Sequence, residues 1–280
     1  MPAAHARPEL LASADWVAES VSRAGFRIVD CRWRPDGTAR RLFAAGHIPG
    51  AVHLDWQADL VDPDDPLPFQ LAGPEQVVRA LVAGGIGDGM AAVLYDDTAS
   101  LYACRTWWSL QAYGFEAVRV LDGGWGAWTA SGRPISTAQR PAEAVSFTPR
   151  TVPRRRLSAA DVRALLDSPD VQVVDARGPA EFAGSVGRSP RLGHIPGAVN
   201  LPASLTTEPG TGRFLPGSRL AKTVASADLR PDRRTVVYDS SGIAAAKVAF
   251  VLELCGFGDV AVYDAGWEEW GSRADLPVER

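Results

Sequence analysis

GHIPGAVHL at residues 46–54 is answered by GHIPGAVNL at residues 193–201. Three further pairs follow in the same order. FRIVDCR (26–32) matches VQVVDAR (171–177), AAVLYDD (91–97) matches TVVYDSS (235–241), and YGFEAVRVLDGGWGAW (113–128) matches CGFGDVAVYDAGWEEW (255–270). The partners stand 142 to 147 residues apart, so the chain of 280 residues is a tandem duplication with small loop changes between its copies. Between the copies, ISTAQRPAEAVSFTPRTVPRRR (135–156) is rich in Pro, Ala and Arg and lacks a helical period. It reads as an extended linker between domains at 8–134 and 157–280.

Within each copy, short apolar β-branched runs such as FRIVD, AAVLY and AVRVL alternate with helical stretches. PEQVVRALVAGG and RTWWSLQAYG are such stretches in the first copy, SAADVRALLD and AAAKVAFVLELCG in the second. The alternation predicts two tandem α/β domains, each a mainly parallel sheet flanked by helices. Ligand sites in such sheets lie at the carboxyl ends of the strands. VVYDSSGIAAAKVAF (236–250) therefore marks the functional edge of the second copy: a strand, a tight polar turn and a helix. A turn of this kind gathers backbone N–H groups before a helix, a setting for an anion, yet it opens with Asp239.

Composition narrows the function. Hydrophobic residues make up 46% of the chain and charged residues 22%, with a net charge of −4, which gives no electrostatic case for nucleic acid or an anionic membrane. No apolar run approaches the roughly 20 residues of a membrane helix. The opening MPAAHARPELLASADW has no signal-peptide core, so a cytoplasmic location is expected. Cys31, Cys104 and Cys255 show no CxxC spacing, and His5, His47, His53 and His194 form no ligand cluster, so neither a disulfide framework nor a metal or cofactor is expected. His47 and His194 read as turn residues that pack or hydrogen-bond. The pairs Trp125/Trp128 and Trp267/Trp270 have the spacing of one packed helix face.

The duplicated GHIPGA, the strand–turn–helix loop and the LDGG-W and YDAG-W endings resemble the tandem rhodanese family, which includes thiosulfate and 3-mercaptopyruvate sulfurtransferases. The resemblance covers nearly the whole chain. It implies an active site in the second domain and a degenerate site in the first, where the loop begins Asp96-Asp97. It also implies a cysteine that takes sulfane sulfur from a donor, becomes a persulfide, and passes the sulfur to an acceptor such as cyanide or a thiol. Loop N–H groups and the helix dipole would lower the thiol pKa and hold the persulfide.

Set against that pattern, the loop Asp239, Ser240, Ser241, Gly242, Ile243, Ala244 fits the family's C-x-x-G-[VI] at Gly242 and Ile243 and carries Asp239 at the cysteine position. Ser241 stands where thiosulfate-preferring members often have lysine. The family's D-x-R motif is present as Asp175-Ala176-Arg177, but the donor-gripping arginine four residues on is Glu181. Arg177, Glu181, Arg188 and Arg191 are the candidate substrate-binding residues; Arg188 and Arg191, in the GRSPRLG loop (187–193), are the cations that could bend in.

A carboxylate oxygen cannot carry persulfide sulfur, and Cys31, Cys104 and Cys255 read as buried apolar residues. The expectation is a rhodanese-like protein impaired in sulfur transfer, acting as a binding or regulatory module with an unidentified protein partner, Asp239 accepting N–H bonds from its own loop. Two alternatives stand beside it. One is a thiosulfate sulfurtransferase whose cysteine was deliberately exchanged or whose nucleophile comes from elsewhere, with a small anionic sulfur compound and a thiol acceptor as partners. The other is a different activity built on an Asp239–Glu181 carboxylate pair or on Ser240 or Ser241 as nucleophile.

Overall fold

A computed structural model describes residues 5–139 and 143–280. The first sheet holds β1 (Leu11–Ala12), β2 (Phe26–Asp30), β3 (Ala51–His53), β4 (Ala91–Tyr95) and β5 (Val118–Leu121), in the order β1-β5-β4-β2-β3. The second holds β6 (Arg156–Leu157), β7 (Val171–Asp175), β8 (Val199–Asn200), β9 (Arg234–Tyr238) and β10 (Val260–Tyr263), in the order β6-β10-β9-β7-β8. Every pairing is parallel. The tandem α/β arrangement expected from the repeat is what the chain forms. The two-residue edge strands β1 and β6 were not expected, since two residues carry no readable period. The linker stretch also differs from a plain extended crossing. Pro153–Arg155 forms a 3-10 turn, Arg156 already belongs to β6, and residues 140–142 lie outside the described residues.

Register brings the functional edge together. Asp30 is opposite Tyr95 at the ends of β2 and β4, and Asp175 is opposite Tyr238 at the ends of β7 and β9. The pair is then locked. Tyr238 donates its hydroxyl to Asp175 Oδ2 at 2.7 Å, and Arg177 grips both oxygens of the same carboxylate while donating to the Gly193 carbonyl. Tyr95, Asp30 and Arg32 repeat these bonds in the first domain, with Gly46 accepting. The GHIPGA turn is thus tied to the strand edge by the D-x-R arginine in both copies. His47 and His194 play the packing role expected of them: each donates a ring N–H to a backbone carbonyl and stacks on a phenylalanine, Phe43 or Phe182.

The helices that follow β4 and β9, Leu101–Ala112 and Ile243–Leu254, pack against each other across the domain boundary. Both are buried on nearly every side, which fits their all-round apolar sequences. Trp107 meets Phe250 edge-to-face at 5.1 Å, and a single apolar cluster runs through both domains at this seam. Two charged residues interrupt the seam at matching positions, Arg105 and Lys247. No helix among the described residues is long and apolar enough to cross a membrane.

Candidate active-site loop

β9 ends at Tyr238 and the chain turns at once into the Ile243–Leu254 helix. Gly242 makes the turn possible: its φ is +81°, and a Cβ there would come within 2.4 Å of Asp264 Oδ1. The side chain of Asp239 folds back into the loop. Oδ1 accepts the Gly242 N–H at 2.6 Å and Oδ2 accepts the Ala244 N–H at 3.1 Å. Two of the loop's N–H groups are therefore spent on its own carboxylate, and Asp239 is 6% exposed. Burial pushes the Asp239 carboxyl above its ordinary value, against the pull of the Ala244, Ala245 and Gly242 N–H groups and of the Arg105 charge.

The outer face of the loop is held by the Gly266–Trp270 helix, whose Trp267 and Glu268 N–H groups donate to the carbonyls of Asp239 and Ser240. Its inner face is held from the other domain. Arg105 donates to the Gly242 carbonyl at 3.1 Å, to Asp264 Oδ1 at 2.6 Å and to the Phe69 carbonyl at 2.7 Å. Asp264 also accepts from Leu71 N–H and lies 3.2 Å from Arg156 Nε. Arg105 and Asp264 are each 1% exposed, a buried ion pair joining the two copies. Sequence reading missed this pair. Its signals were present: a lone cation inside LYACRTWWSLQA, and an aspartate repeated in LDGG-W and YDAG-W.

Beside the loop lies a cleft of about 550 Å³. Its walls include Pro68 and Phe69 from the first domain and Arg177, Glu181, Arg188, Ser240, Ser241, Trp267 and Glu268 from the second. Five of the candidate residues thus meet in one place. Asp239, Gly242, Ile243 and Ala244 lie behind that wall. Arg177 reaches the wall already committed to Asp175, its guanidinium 4.6 Å from the Trp267 ring centroid. Arg188 is exposed, whereas Arg191 is partly buried. Arg191 donates to the carbonyls of Gly271, Leu276, Trp270 and Arg273, stitching the chain's last segment, so its expected inward bend is corrected.

The Asp239–Glu181 carboxylate pair is likewise corrected. Asp239 turns both oxygens into its loop, while Glu181 Oε2 faces the Gly178 N–H at 3.4 Å, capping its own short helix. Among the described residues no group of three or more His, Cys, Asp and Glu side chains could hold a metal ion. Cys31 and Cys104 are fully buried, with thiols pushed well up by desolvation, and burial raises Cys255 to about 11.

The Rhodanese-like domain family model matches residues 13–131 and 158–273. The chain is 34% identical to the thiosulfate sulfurtransferase of Corynebacterium glutamicum, over 98% of this chain and 92% of that protein. It is 33% identical to the 3-mercaptopyruvate sulfurtransferase of Escherichia coli strain K12, over 95% and 96%. The crystal structure of SseA from Escherichia coli, a 3-mercaptopyruvate sulfurtransferase, superposes with a TM-score of 0.83 at 29% identity, covering 92% of this chain and 98% of that one. The structure of an EanB variant in complex with ergothioneine superposes with a TM-score of 0.87 at 25% identity, over 98% of this chain and 70% of that one. With two matched domains, a full-length parallel fold and the loop in its expected place, the chain belongs to the rhodanese family of thiosulfate and 3-mercaptopyruvate sulfurtransferase homologues.

Proposed function

We propose that this chain is a rhodanese-fold member that has left persulfide chemistry and works as a binding or regulatory module. The observation that carries the reading is the Asp239 carboxylate bonded to the Gly242 and Ala244 N–H groups. A persulfide needs a sulfur nucleophile at that point and needs those donors unclaimed. Here the nucleophile's place holds a carboxyl group, and it claims those two donors. The cleft beside the loop supports the same reading. Glu181 and Glu268 stand on its wall and, with Arg177 committed to Asp175, oppose Arg188, the wall's other arginine, in meeting a doubly charged anion such as thiosulfate. Its ligand would come from a partner or small molecule that tolerates those carboxylates and engages Arg188. The working location is the cytoplasm, and the two domains divide at the stretch 135–156.

The test is a sulfur-transfer assay with thiosulfate or 3-mercaptopyruvate as donor and cyanide as acceptor. The expected result is no turnover above background for the unaltered chain. The substitution Asp239→Cys, alone and then with Glu181→Arg, reports whether the remaining cradle still supports the family reaction. Turnover by the unaltered chain that disappears in Asp239→Ala would overturn the proposal.

A further inference from the structure

A second cleft, of about 640 Å³, opens at the matching edge of the first domain. Its volume is that of a small-molecule site. One wall is the first-domain loop from Asp96 to Ser100, with Trp125 beside it; the other is a second-domain segment around Thr207 and Glu208. Lys247, from the middle of the second-domain helix Ile243–Leu254, also lines it.

Lys247 is 4% exposed. An ammonium so far from water is costly unless a negative charge meets it. Its hydrogen bond is to a neutral group, Thr207 Oγ1 at 3.2 Å, and among the described residues no carboxylate lies in ion-pair reach. An ammonium has three N–H bonds to give. The carboxylates nearest the cleft are already engaged. Asp96 accepts the N–H groups of Thr98, Ser100, Tyr102 and Ala103, and Asp97 pairs with Arg34. Ser100, 2% exposed, also lines the cleft, and its hydroxyl has no hydrogen-bond partner. A buried ammonium that makes no ion pair among the described residues, though the Asp96 charge acts on it from farther off, and a buried hydroxyl without a hydrogen-bond partner therefore stand on one cleft. A negatively charged acceptor would answer both, taking a hydrogen bond from each.

We propose that this first-domain cleft binds a small organic monocarboxylate, its carboxylate against Lys247 and Ser100. A single negative charge suits the single cation. Glu208 on the opposite wall disfavours a second one. The apolar body of the ligand has Trp125 and Ala99 to lie against. Burial already pushes the Lys247 ammonium below its ordinary value, and a bound carboxylate would offset that. This site faces the first-domain loop rather than the Asp239 loop, although Lys247, Thr207 and Glu208 come from the second domain, and it does not depend on whether the Asp239 loop transfers sulfur.

Titration of the full chain with lactate, followed by amide NMR, tests the site directly. Lactate should shift the Ser100, Thr207 and Glu208 amides in a saturable manner, and malonate, with two charges, should bind several-fold more weakly. Lys247→Met should weaken lactate binding at least about tenfold, and Ser100→Ala, which lies outside the packed helix seam, several-fold. The second variant and the malonate comparison keep the test decisive should Lys247→Met fail to fold. Absence of saturable shifts with lactate, tighter binding of malonate, or unchanged lactate affinity in either folded variant would overturn the proposal.

Discussion

The two copies solve one problem twice and differ in who answers whom. In both, an aspartate directly after the strand tyrosine folds back on its own loop: Asp96 takes four N–H groups and Asp239 takes two. In both, the residue before the helix is left-handed, but it is Gly242 in the second copy and Ser100, with φ of +62°, in the first. Each loop also faces a cation from the other domain. Arg105 is fully engaged at the second loop through Gly242, Asp264 and Phe69, while Lys247 at the first is held by Thr207. Duplication preserved the scaffold, and the divergence lies in how completely each loop is closed. The second-domain loop is the more tightly bound to its neighbours across the domain boundary.

That contrast can be broken at its strongest point first. Arg105→Ala leaves Asp264 buried with its nearest cation removed, and it should destabilise the chain by about 3–5 kcal/mol in denaturant unfolding. Lys247→Ala should cost less, since no carboxylate is orphaned. Equal losses would show that the two seams are equivalent after all. Next comes Asp239→Ala, which strips the acceptors from two buried N–H groups and should cost about 1–3 kcal/mol in the same measurement.

A pH series sharpens the point. Burial raises the folded-state value of Asp239 above the unfolded one, so the folded chain holds this proton to higher pH. Its contribution to stability is then fully present below the ordinary aspartate value of about 3.9 and is lost as pH rises through the raised folded value. Asp239→Asn removes the titration. The stability of the wild type relative to that variant should fall as pH rises through this window, and a rise would contradict the assigned environment. The smallest effect belongs to Ser100→Gly. Relief of a left-handed serine is offset by greater freedom of the unfolded chain, leaving a change within about 1 kcal/mol, in the stabilising direction.

Much of this was legible in the sequence, for identifiable reasons. The repeat fixed the domain count and the alternation fixed the parallel sheets, because both are patterns over many residues. The position of Asp239 followed from the short loop between Tyr238 and the helix. Its orientation did not follow, since a carboxylate at a helix start can face inward or outward and only packing decides. Arg188 and Arg191 look alike three residues apart, yet Arg191 is claimed by four backbone carbonyls of the last segment, a long-range event with no local signature. Arg105 and Asp264 are 159 residues apart. Only the fold reveals that they meet, although a charge placed inside an apolar helix was a signal that it must meet something.

The central claim is that the Asp239 loop no longer carries sulfur. Intact-mass measurement after incubation of the unaltered chain with 3-mercaptopyruvate tests it most directly, with Asp239→Cys run in parallel. The account predicts no added sulfur on the unaltered chain, whose cysteine thiols are all raised by burial. A stable gain of one sulfur atom on the unaltered chain, released by cyanide, would contradict it.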